Sequence, residues 1–217
     1  MKSLTEIVVV LLFLCLPCLA EGPYEKALEI ANQEWIRFGK QTIGIDGKLL
    51  KRGGREAESG YYLRVADYWK EGVDRDLTGK DTHEPWSAAF ISWVMKKAGM
   101  GDRFSYSDWH AHYIRNSIMA RRQRDKNFAF WGYRISERAP KVGDLVGYAR
   151  SGGTSYDYQP TVYPSHTDLV VAVRPGEIEV IGGNVQDSVT KKILKTDENG
   201  LLIDKHHRWF VVMAPNI

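Results

Sequence analysis

The sequence predicts an α+β domain in which N-terminal helices pack on a C-terminal antiparallel sheet of about five strands. Two observations carry this. Up to Arg122 apolar side chains recur at helical spacing, and after Pro140 the texture changes to short β-branched runs broken by Gly, Pro and Asn turns. Helices first and strands afterwards is the α+β pattern. With 217 residues, 43% hydrophobic and 12% aromatic, the chain can fill one sizeable core, so residues 21–217 read as a single domain.

The elements follow in order. Ala27, Leu28, Ala31, Trp35 and Phe38 mark a helix over Tyr24–Phe38 that stops near Gly39. Gln41–Gly54, with four glycines, reads as a loop. Tyr62, Val65, Ala66 and Trp69 mark a second helix closing near Gly72. Pro85 suits the first position of a third, because proline lacks the N–H that would go unpaired there. That helix buries Trp86, Phe90, Trp93 and Val94, sets Ser87 in its first turn and stops at Gly99. A fourth runs from about Trp109 to Arg122 with Tyr113 and Ile114 inward. Strands are expected at Val142–Ala149, His166–Val173, Glu177–Ile181, Ser188–Leu194 and Trp209–Met213, with tight turns at Pro175-Gly176 and Asn199-Gly200.

Residues 1–20 read as a secretory signal. Lys2 precedes the apolar run Ile7–Leu14, and small residues lead to cleavage after Ala20. The run is shorter than the roughly 20 residues of a spanning helix, so no stable membrane insertion is expected after cleavage. Cys15 and Cys18 both lie in this segment, so the exported protein would carry neither a disulfide nor a thiol nucleophile. The balance of 30 basic and 27 acidic residues gives +3. Arg121-Arg122-Gln123-Arg124 and Lys191-Lys192 lack the aromatic interleaving of a nucleic-acid surface, and no nucleic-acid partner is expected. His110 and His112 point to different helix faces, and His206-His207 have only Asp204 nearby, so neither a metal nor another cofactor is expected.

The parts of an acyl-transfer site occur in a usable order. Ser87 lies at a helix start, His166 at a strand start, and Asn184 after Gly182-Gly183 at the end of the next strand. This order, with the Gly143-Asp144-Leu145 strand between, resembles the papain-like cell-wall hydrolases of the NlpC and CHAP type. In detail the chain resembles the bacterial family called domain of unknown function 2272, grouped with that superfamily. The sharpest segments are Pro85–Gly99, Phe104–Ile114, Lys141–Tyr148, His166–Val173 and Ile181–Val185. The resemblance implies a papain-like fold, with Ser87 as nucleophile, His166 as base and Asn184 as the group orienting it. Trp86, His83 and His110 are candidates for substrate or oxyanion contacts. Together with export, it implies peptidoglycan stem peptides as substrate, in the periplasm or outside the cell.

Serine stands where those enzymes carry cysteine. A thiol of pKa about 8.5 can be ionised in advance by a helix end and an imidazole, whereas a hydroxyl must lose its proton during attack. The substitution is compatible with a serine amidase or peptidase, and equally with an inactive envelope module that binds peptidoglycan or a peptide in the same groove.

Overall fold

The computed structural model of the protein describes residues 22–216. The expected signal segment, with Cys15 and Cys18, lies outside the described residues. The four expected helices form as α1 (Pro23–Arg37), α2 (Tyr62–Val73), α3 (Ser87–Lys97) and α4 (His110–Gln123). None is long and apolar enough to cross a membrane. Pro85 stands ahead of α3 rather than at its first position, because Trp86 serves as the N-cap residue and Ser87 opens the helix.

The five expected strands are present, but the sheet has eight and is mixed rather than antiparallel throughout. Numbered along the chain they are β1 (Gln41–Ile43), β2 (Leu49–Lys51), β3 (Phe130–Arg134), β4 (Leu145–Ala149), β5 (Ser165–Arg174), β6 (Glu177–Gly182), β7 (Thr190–Lys195) and β8 (Arg208–Pro215). The order across the sheet is β2-β1-β7-β6-β5-β4-β8-β3, with β1 parallel to β7 and every other pair antiparallel. The three additional strands are β1, β2 and β3; the first two are three residues each and lie inside the glycine-rich segment that reads as a loop. Runs that short carry no readable period, and neighbouring chain supplies their order.

The helices cover one face of the sheet. Nearly all of α3 is buried, from Ser87 through Met95. Phe38, Tyr68, Trp86 and Phe90 form an aromatic nest around its start, with ring centroids 5.2–6.4 Å apart in tilted, stacked and edge-to-face contacts. Each such side chain contributes about 1.5–3 kcal/mol by burial, so this nest fixes where Ser87 stands. Buried Glu34 of α1 is satisfied by Arg64 of α2 at 2.6 and 2.8 Å and by the Tyr68 hydroxyl, tying α1 to α2. The opposite face carries a smaller cluster: Val146, Tyr148, Val170, Ile178, Val180, Leu194, Trp209 and Val212, with Leu202 over it.

Candidate active site

Side chains alternate between the faces of a strand. Along β5, Leu169 joins the helix-side core and Val170 the opposite cluster. Thr167 therefore faces the helices, while His166 and Asp168 face away from them. This parity governs the site.

On the helix side, Ser87 Oγ stands 2.7 Å from Nε2 of His110, the first residue of α4. His110 Nδ1 meets Thr167 Oγ1 at 2.9 Å and the Tyr113 hydroxyl, and the two hydroxyl oxygens are 3.1 Å apart. Tyr113 reaches His110 because residues three apart share a helix face. Burial, then the neighbouring His166 and Arg150, hold His110 well below its usual pKa, so the ring is neutral at pH 7. Burial also keeps the Tyr113 phenol well above its usual value, and it stays a proton donor.

On the far side, His166 Nε2–H donates to Asp168 Oδ1 at 3.1 Å, and Lys192 Nζ donates to Asp168 Oδ2 at 2.7 Å. Arg150 Nη2 donates to His166 Nδ1 at 3.3 Å. Burial opposes ionisation of Asp168, but Lys192 and His166 outweigh it and hold the carboxyl far below its usual range. His166 itself is lowered, burial outweighing the help from Asp168. The glycine pair makes room for this arrangement. A Cβ at Gly182 would stand 2.1 Å from Asp168 Oδ1 and 2.9 Å from His166 Nε2, and one at Gly183 would stand 2.6 Å from Phe90.

The relay Ser87–His166–Asn184 expected from the sequence is thus not the one assembled. His166 is 0% exposed, on the wrong face of β5, with both ring nitrogens engaged elsewhere. Asn184 takes a left-handed φ of 53°. With its amide turned to suit its neighbours, it donates to Glu56 Oε2 at 3.2 Å and accepts from the Trp86 backbone N–H at 3.2 Å. Glu56 also accepts from the Trp86 indole. Trp86 is therefore core and Asn184 a brace for the start of α3, while His83 is exposed and stands outside the cavity. The imidazole on Ser87 is His110, a residue the sequence marks as a substrate or oxyanion contact and not as the base.

Ser87 and His110 line a cavity of about 350 Å³ together with Trp69, Arg75, Trp109 and Arg150. No side-chain hydrogen bond caps α3, so the N–H groups of its first turn have no acceptor within the helix. Among the described residues no three His, Cys, Asp or Glu side chains converge as a metal site requires.

The family described as "Uncharacterized protein conserved in bacteria (DUF2272)" matches residues 73–214. This chain belongs to that family. The residues matched to DUF2272 include Ser87, His110, Tyr113, Thr167, His166, Asp168 and Lys192, but not Glu56 or Trp69. No curated protein and no solved structure matches the chain.

Proposed function

We propose that this protein is a papain-like amidase or peptidase of the bacterial envelope, acting on peptidoglycan stem peptides through Ser87 with His110 as its base. The observation that carries the reading is the 2.7 Å approach of Ser87 Oγ to His110 Nε2 at the uncapped start of α3. Ser87 Oγ adds to the amide carbonyl while its proton passes to His110 Nε2. His110 returns that proton to the leaving nitrogen as the C–N bond breaks, leaving an acyl ester on Ser87. Water then adds to the ester, giving a proton to His110, which passes it to Ser87 Oγ as the C–O bond breaks. The leader read in residues 1–20 and the resemblance to wall hydrolases support the location and the substrate class.

One observation favours a second reading, an inactive module that binds peptidoglycan or a peptide. When His110 carries its proton on Nε2 and donates it to Ser87 Oγ, the Tyr113 hydroxyl donates to Nδ1 and Thr167 donates to Tyr113, so every buried proton of the cluster finds an acceptor and only the Ser87 hydroxyl proton is turned to the cavity. With the proton on Nδ1, as a base requires, one buried hydroxyl proton has none among the described residues. That costs about 1–3 kcal/mol, roughly one to two factors of ten. General-base assistance is worth about 10²- to 10⁴-fold, so the cost slows the proposed reaction without abolishing it.

Purified sacculi, incubated with the mature protein and analysed by mass spectrometry, decide between the two. Hydrolysis predicts released fragments with the wild type and none with Ser87→Ala. Identical blank profiles from two folded proteins, both of which sediment with sacculi, would leave the binding module standing.

A further inference from the structure

The cavity beside Ser87 is electrostatically lopsided. Two arginines line it, and Arg75 is held by Asp108 at 2.7 Å and lies 4.0 Å from Glu84. Arg150, exposed, stands directly after β4, its backbone N–H tied to Pro164 O at 2.8 Å. Among the described residues no carboxylate lies within ion-pair reach of Arg150. Its guanidinium leans only on His166 Nδ1 at 3.3 Å and on the Tyr148 ring at 5.8 Å.

Arg150 also lines two further cavities. One, of about 290 Å³, includes Asn184, Lys192 and His207; the other, of about 490 Å³, includes Gly152 and Arg208. These adjoin the Ser87 cavity through Arg150, so an extended ligand leaving Ser87 in that direction passes the guanidinium. A second donor lines the Ser87 cavity. Trp69 is 1% exposed, and its indole N–H has no acceptor among the described residues. Buried donors without acceptors are rare because each costs about 1–3 kcal/mol.

We propose that Arg150 is a specificity residue, and that the groove selects peptides bearing a carboxylate next to the segment lying over Ser87. The inference rests on the reading of this cavity as a substrate site, but not on turnover. A guanidinium grips a carboxylate through two parallel N–H···O bonds, which a lysine cannot reproduce. Arg75, already neutralised, offers no such grip, and the asymmetry therefore also orients the peptide.

The test is binding, measured by NMR titration of the Ser87→Ala protein with two capped tripeptides, N-acetyl-Ala-Glu-Ala-amide and N-acetyl-Ala-Gln-Ala-amide. The glutamate peptide should bind at least about tenfold more tightly, a preference within the range of a charge-assisted hydrogen bond. Adding Arg150→Gln should collapse the ratio of the two affinities to near one, and Arg150→Lys should keep part of it. A merely structural role for Arg150 would weaken both peptides together. Equal affinities, a ratio untouched by Arg150→Gln in a protein with a native spectrum, or no binding of either peptide would overturn the inference. Blank sacculus digests beside an intact glutamate preference would remove hydrolysis and leave the specificity of Arg150 in place.

Discussion

On the helix side of β5, His110 is surrounded by hydroxyls, whereas on the far side His166 is wedged between a carboxylate and a guanidinium. Both rings are buried and their centroids are only 5.0 Å apart. Yet they are held by different physics. The His110 contacts are neutral, each worth about 0.5–1.5 kcal/mol, and leave one ring nitrogen on Ser87 at the wall of a cavity. The His166 contacts belong to a charged chain through Asp168 to Lys192, each of the three buried. An imidazole that must gain and lose a proton in each cycle suits the first setting, and a ring that braces a sheet suits the second.

The largest effect that could break this contrast is on chemistry. Replacing His110 by Ala should slow labelling of Ser87 by a fluorophosphonate probe about 10²- to 10⁴-fold, followed by mass spectrometry of the intact protein. His166→Gln should cost far less labelling per folded molecule. Equal losses would return the base role to His166.

Next in size is a stability effect on the other side. Asp168→Asn leaves the Lys192 ammonium buried without its counter-ion, a change that costs about 3–5 kcal/mol. Calorimetry should find the melting temperature lowered by about 10 °C, at roughly 2–4 °C per kcal/mol for a chain of this size. A shift under about 2 °C would mean that the pair is solvated and that the two sides differ less than their geometry implies.

The smallest effect sharpens the contrast by importing one side's chemistry into the other. Thr167→Asp puts an acceptor-only group of similar size beside His110 Nδ1, so that Nδ1–H and the Tyr113 hydroxyl can both donate to it. The base-competent tautomer should then prevail, and Ser87 labelling should speed up about 10- to 100-fold. An unchanged rate in a folded variant would show that tautomer choice does not limit Ser87.

The parts of the fold that the sequence makes legible are those with a long period. Ala27, Ala31, Val65, Trp69, Phe90 and Trp93 recur as a helix demands and are all buried. The strands β1 and β2 escape notice because they are three residues each and lie among glycines, whereas β3, as long as β4, follows closely on the polar stretch that ends α4. In the site, Ser87 and His110 are both legible as residues, but their partnership is not. It depends on α4 crossing β5, a packing fact with no local signal. The parity of β5 was available from the sequence: His166, Asp168 and Val170 share one face and Thr167 and Leu169 the other. That alternation, applied to the Ser-His-Thr-Asp run, separates His166 from whatever faces Thr167.

The brace around the start of α3 has a consequence for how far the DUF2272 stretch is portable. The matched residues begin at Val73, yet Glu56, which fastens both Trp86 and Asn184, comes earlier, as do Phe38 and Tyr68 of the aromatic nest. Gln41 donates to Thr190 Oγ1 and to Val185 O while β1 zips in parallel along β7. The stretch that the family matches is therefore smaller than the unit that folds. Grafted alone into another protein, the matched stretch would bring Ser87 and His110 but leave behind Glu56, Phe38 and Tyr68, which aim them.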